Sequence, residues 1–205
     1  MFDGDVDSQD EFETSVTTSI QKALSALWCS YNFPFRVRNI RFKTRVGRED
    51  YNAPDGNIVQ KNVQGKTVYG LRIGKKFLNY EPDYEILEEK TGEPESFFVK
   101  NERIYLYPTP NNIYDVDAEY LTIYPACDEL GNSKATLEVD SDYIDIPKRY
   151  EILFENALIT LTMVYAIASE SDENYAGYLK QYNDAYKLLI EFTKGIELDK
   201  RIGWR

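Results

Sequence analysis

The 205-residue chain has no histidine, only two cysteines, two methionines and two tryptophans, and its 24 basic side chains are outnumbered by 35 acidic ones. Histidine is the commonest general base, the usual metal ligand and the ordinary switch near neutral pH. Its absence argues against serine, cysteine and zinc chemistry in their familiar forms, and no cofactor or metal is expected. Cys29 and Cys127 form no CxxC pair and follow no signal-peptide pattern, so they read as small buried apolar residues in a reducing compartment. The net charge of −11 opposes long-range attraction to DNA, RNA or an anionic membrane unless positive charge is gathered locally. Long hydrophobic runs are missing as well. The longest, 157–168, is interrupted by Thr160 and Thr162 and falls short of the roughly 20 residues of a membrane span, which predicts a protein outside the membrane.

What is present fits a folded chain, because 42% of residues are hydrophobic and 14% aromatic, beyond what disordered segments carry. Six acids and no base occupy the first thirteen residues: Asp3, Asp5, Asp7, Asp10, Glu11 and Glu13. Such a run suits a solvated tail or the first turn of a helix, with Asp7 or Ser8 as cap. Phe12, Val16, Ile20, Ala23, Leu24, Leu27 and Tyr31 then recur every three or four residues, a helical stripe that Pro34 ends. From Phe35 onward, short runs of valine, isoleucine, tyrosine and phenylalanine separated by glycine and proline predict strands at 38–46, 67–73, 95–100, 103–107 and 117–124, with Asn101-Glu102 as a tight hairpin turn. Helix returns after Pro147. The segment 150–168 is apolar on nearly every face and is expected to be the central buried helix, and Tyr175, Tyr178, Tyr182, Ala185, Leu189, Phe192 and Ile196 form a heptad seam that loosens at Gly195. The predicted fold is α+β. An acidic tail and helix (1–34) and an antiparallel helix pair (145–197) form a small bundle interrupted by an antiparallel β-rich subdomain (35–144), with a tail at 198–205.

Short motifs for catalysis or ligand binding fail on inspection. Ser19-Ile20-Gln21-Lys22 and Lys90-Thr91-Gly92 match two penicillin-recognising signatures, but Ser141-Asp142 follows the second instead of preceding it, and Ser19 lies inside a helix. Gly70 to Lys76 lacks the spacing and the Ser or Thr of a phosphate-binding loop. Asp3-Gly4-Asp5-Val6-Asp7 begins like a calcium loop but has Ser8 and Thr14 where glycine and glutamate are required. The paired carboxylates of a hydrolase remain open, since an acidic chain offers many pairs and none is singled out.

Two features suit contact with other molecules. Arg36, Arg38, Arg41, Lys43, Arg45 and Arg48 place six positive charges in thirteen residues, a pattern for nucleic acid or an acidic partner, or for an exposed edge strand kept from aggregating by its charge. Seventeen tyrosines, among them Tyr105, Tyr107, Tyr114, Tyr120 and Tyr124, suit surfaces apolar on one side and wet on the other. Trp204 beside Arg205 has the composition of an interface anchor.

A series of motifs resembles the head-to-tail adaptor (connector) proteins of tailed bacteriophages. It runs through Gly92-Glu93-Pro94, Phe97-Phe98-Val99, Ile104-Tyr105-Leu106-Tyr107-Pro108-Thr109-Pro110, Tyr120-Leu121-Thr122-Ile123-Tyr124-Pro125 and Ile146-Pro147-Lys148-Arg149-Tyr150. The likeness covers roughly residues 84–193, and the chain departs from it at Tyr69-Gly70-Leu71-Arg72, where the family often has Y-x-L-P, and in its acidic N-terminus. The resemblance implies a non-enzymatic structural virion protein, made in the host cytoplasm and placed in the neck between capsid and tail. It also implies a homo-oligomeric ring, usually of twelve subunits, that joins the portal protein to a tail or neck protein and passes DNA without sequence specificity. The family's C-terminal segments commonly dock on the portal, which makes Ile202, Trp204 and Arg205, supported by Lys200 and Arg201, the implied portal contacts. The alternative from the residues is a tail or baseplate module that presents tyrosines to a carbohydrate or protein receptor.

Overall fold

The computed structural model describes residues 6–63, 66–82, 90–167 and 174–202, and the fold is α+β. The chain divides into two compact units, one from the described residues of 1–35 and 124–205, the other from Arg36–Ile123.

The first unit is built on three helices, α1 (Val6–Cys29), α2 (Lys148–Ile167) and α3 (Tyr175–Ile202). α1 starts at Val6, so Asp7 and Ser8 lie inside its first turn instead of capping it, and residues 6–13 of the acidic run are helical. Ala23, Leu24, Leu27 and Trp28 bury one face of α1 against Tyr150, Phe154, Ala157 and Leu161 of α2, together with Phe33, Phe35 and Leu189. Phe154 sits at the centre. Its ring meets those of Trp28, Phe33 and Phe35 edge-on at 6.2, 6.4 and 5.8 Å, a geometry that adds to what burial alone contributes. Two expectations are corrected. α2 is buried on one face only, because its partners cover the Tyr150–Phe154–Leu161 side and leave Ile152 and Ile159 in solvent. α3 does not loosen at Gly195 but continues to Ile202, since an exposed helical glycine costs only about 1 kcal/mol and Glu197, Leu198, Lys200 and Arg201 are good helix formers.

The second unit is β throughout. In chain order its strands are β1 (Val37–Lys43), β2 (Asp50–Asn52), β3 (Gly56–Ile58), β4 (Gln60–Val63), β5 (Lys66–Tyr69), β6 (Leu71–Ile73), β7 (Lys76–Phe77), β8 (Asn79–Tyr80), β9 (Thr91–Gly92), β10 (Ser96–Lys100), β11 (Arg103–Tyr107), β12 (Thr109–Pro110) and β13 (Asp115–Thr122). One sheet runs β1-β13-β6-β7, with β3 also on β13, and another runs β2-β11-β10-β8. Tyr51, Leu71, Leu78, Phe97, Ile104, Leu106, Val116 and Ala118 form their core, taken from alternate positions as a half-buried strand requires. The strand expected at 67–73 is instead two. Gly70 accepts from Glu119 N–H and donates to the Val59 carbonyl while its α-carbon lies against Glu119, so β5 turns off to pair with β4 while β6 joins β13.

The hairpin at Asn101-Glu102 is as expected: Lys100 faces Arg103, and both turn residues are left-handed, with φ of 51° and 58°. That geometry matches strand twist but is unfavourable for glutamate.

Residues 124–147, expected in the β-rich subdomain up to 144, belong to the helical unit. They hold three short strands, β14 (Ala126–Cys127), β15 (Ser133–Lys134) and β16 (Tyr143–Ile144). Cys127 is buried as expected, whereas Cys29, at the last position of α1, is exposed. The Asp142 carboxylate accepts from Lys134 Nζ at 2.7 Å and from the amides of Glu138 and Val139 at 2.7 and 3.1 Å. These donors hold its pKa below the ordinary carboxylate value.

Three predictions follow from this packing. Phe154→Ala lowers unfolding stability by about 3–5 kcal/mol in denaturant titrations, while Ile152→Ala stays within about 0.5 kcal/mol. Glu102→Gly raises stability by about 1 kcal/mol, read the same way. Because the folded pKa of Asp142 is depressed, its contribution is present above the unfolded carboxylate value of about 3.9 and is lost as pH falls through the lower folded value; the protection of the 138–139 amides against hydrogen exchange, taken relative to the intrinsic rate at each pH, should fall over that window in the wild type and stay level there in Asp142→Asn.

Candidate functional site

The basic segment does not form one patch. Arg36 is buried, and its Nε donates to the Thr122 carbonyl at 3.1 Å, a structural role the strand reading missed because Pro34–Arg36 is a 3-10 turn that points the guanidinium inward. Arg38 is half-buried on the core side of β1, opposite Tyr120. Arg41 and Lys43 point to the other side, where the register sets them across from Asp117 and Asp115. Arg41 Nε lies 2.5 Å from Asp117 Oδ1, and Lys43 Nζ lies 3.8 Å from Asp115. Asp117 also takes Arg72 at 3.7 Å, and Glu119 takes Lys61. The hydrogen bond and charge of Asp117 raise the Arg41 pKa. Arg48 turns back to the Asp50 carbonyl at 2.8 Å and stacks over Tyr51, and Arg45 is exposed.

β1 is therefore an edge strand whose outward cations are largely met by the carboxylates of β13 in the same chain. Cross-strand pairs of opposite charge stabilise a sheet by a few tenths of a kcal/mol each and make its edge a poor template for further pairing. For phosphate binding, those same carboxylates are competitors.

Lys200, Arg201 and Ile202 end α3, but their side chains, and Trp204 and Arg205 altogether, lie outside the described residues. The tyrosines singled out at 105, 107, 114, 120 and 124 are each half-buried. A more pronounced aromatic site lies elsewhere in the β unit. Tyr69, Tyr80 and Phe97 meet at ring separations of 4.7 to 6.0 Å and, with Pro54, Ile58 and Val99, line a cleft of about 280 Å³ without a charged side chain. Tyr69 and Tyr80 are ordinary strand tyrosines in sequence; only the pairing of β10 with β8 and the turn at Gly70 bring them together.

Two motifs behind the family resemblance are joined in space. Thr91–Gly92 pairs in parallel with Thr109–Pro110, and Gly92 lies against Pro108, where a Cβ would sit 3.6 Å from that ring.

In the helical unit, one face of α2 leaves apolar side chains exposed. Ile152 is 71% exposed and Ile159 61%, with Met163 on the same face, and α2 is the one helix among the described residues long and apolar enough to cross a membrane by length and composition. No cluster of potential metal ligands occurs among the described residues, and the calcium-loop pattern falls in part on helix α1, which has the wrong backbone for such a loop. Compared with models of known protein families and with curated proteins, the chain matches none.

Proposed function

We propose that the chain is a structural virion protein, a head-to-tail adaptor that assembles as a ring, joins the portal to the tail and extends the DNA channel. The observation that carries this reading is the ordered series of motifs from Gly92 to Tyr150, two of which pair as β9 and β12. An exposed apolar face on α2 supports work by assembly, since monomers seldom leave such surface uncovered. The net charge of −11 suits a conduit that passes DNA without gripping it.

A second reading, a tail or baseplate binding module, draws support from the uncharged aromatic cleft at Tyr69, Tyr80 and Phe97, whose rings offer stacking faces for a sugar or an apolar side chain.

Native mass spectrometry of the purified chain mixed with its cognate portal tests the first reading. The expected outcome is a portal complex with many adaptor copies, weakened by truncation after Arg201. A chain that stays monomeric and ignores the portal, yet binds glycans with loss in Tyr80→Ala, would establish the second instead.

A further inference from the structure

α2 has two apolar faces. Opposite the buried side, Ile152, Asn156, Ile159, Met163 and Ala166 follow each other at intervals of 4, 3, 4 and 3, the spacing of a coiled-coil seam. From Asn156 to Ile167 the helix carries no charged residue. At the start of the seam Lys148 and Arg149 stand exposed on its two flanks, with no ion-pair partner among the described residues. Glu151 and Glu155 lie on the Lys148 flank, so Arg149 is the cation further from a carboxylate of its own helix.

The N-terminal part of α1 is exposed and of opposite charge. Phe12 continues its buried stripe yet is 68% exposed, and Glu11 and Glu13, one residue to either side, are also exposed. Asp7 and Asp10 add negative charge in the same segment.

These two features cannot meet within one chain. α1 and α2 run antiparallel, with Trp28 beside Phe154 and Phe35 beside Tyr150 at one end. At the other end Gln21, Lys22 and Ser25 share a shallow hollow with Tyr165, near the last turn of α2. Phe12 lies nine residues before Gln21, roughly 13 Å further along the axis, so the acidic end of α1 overhangs the C-terminal end of α2 while Lys148 and Arg149 stand at its N-terminal end.

We propose that the acidic N-terminal part of α1 of one copy packs on the outward seam of α2 of a second copy, Phe12 seating beside Ile152 and Asn156 with Glu11 and its neighbours against Lys148 and Arg149. Two different surfaces meet, so the contact is head-to-tail and repeats around a ring or along a filament. It names the self-association surface of the adaptor reading and rests on that reading for its role.

The test uses the full chain. Wild type, Asp10→Lys with Glu11→Lys, Lys148→Glu with Arg149→Glu, the chain carrying all four, and Ile159→Asp are compared for self-association by native mass spectrometry, with circular dichroism to confirm that each is folded. Each reversal pair should weaken association about tenfold or more and the four together restore it. In a Cys29→Ser background, Phe12→Cys with Ile152→Cys should oxidise into a ladder of multimers, which a two-fold contact would stop at dimers. A wild type monomeric at every concentration, reversals without effect, no recovery in the combined chain, or cross-linking that ends at dimers overturns the contact. Rings on the portal without the 12–152 cross-link would reject this contact and leave the adaptor reading standing. A cross-linked ladder without portal binding would do the reverse.

Discussion

The burial of Phe154 is the contact on which the helical unit depends. Its ring is met by Trp28 from the first helix and by Phe33 and Phe35 from the turn that follows, residues separated from it by more than half the chain. Bringing these segments together closes a long loop, a cost that grows only slowly with length. Several fully buried aromatic side chains, each contributing about 1.5–3 kcal/mol, offset it. Once this face of α2 is spent on the interior, the opposite one is left to solvent. The apolar outer seam is thus a consequence of a helix rich in Ile and Leu that is covered on one face only.

Electrostatics is organised in the same divided way. In the β unit, opposite charges meet across strands: Arg41 with Asp117, Lys43 with Asp115, Lys61 with Glu119. In the helical unit, Glu11 and Lys148 stand at opposite ends. The net charge of −11 conceals both patterns. Cations alone along β1 suggested a binding strand, but the alternate residues of β13 that neutralise them are some seventy positions away. Only the register between the two strands reveals the pairing.

Local periodicity made much of the fold legible. The 3–4 spacing of α1, the apolar run of α2 and the heptads of α3 placed the helices, and Asn101-Glu102 placed a hairpin, because these depend on neighbours a few residues apart. The sequence was less informative where one residue serves two distant segments. Gly70 reads as the middle of a strand until its close approach to Glu119 is seen, and Arg36 reads as one of six surface cations until its hydrogen bond to Thr122 is seen. The Tyr69–Tyr80–Phe97 cleft escaped for the same reason, since its rings come from three strands with no shared spacing. Membership of α2 in the bundle was plain, but the expectation that it would be buried all round failed, because period alone does not count neighbours.

The β unit begins and ends at adjacent points. β1 leads into it and β13 leads out, and the two are antiparallel partners with Val37 opposite Leu121. A segment whose two ends lie side by side can be lengthened, shortened or exchanged as a cassette while the chain on either side keeps its own path. Selection can then remodel whatever Arg36–Ile123 touches without renegotiating the packing around Phe154, and the helices can hold their geometry while the cassette changes its clientele.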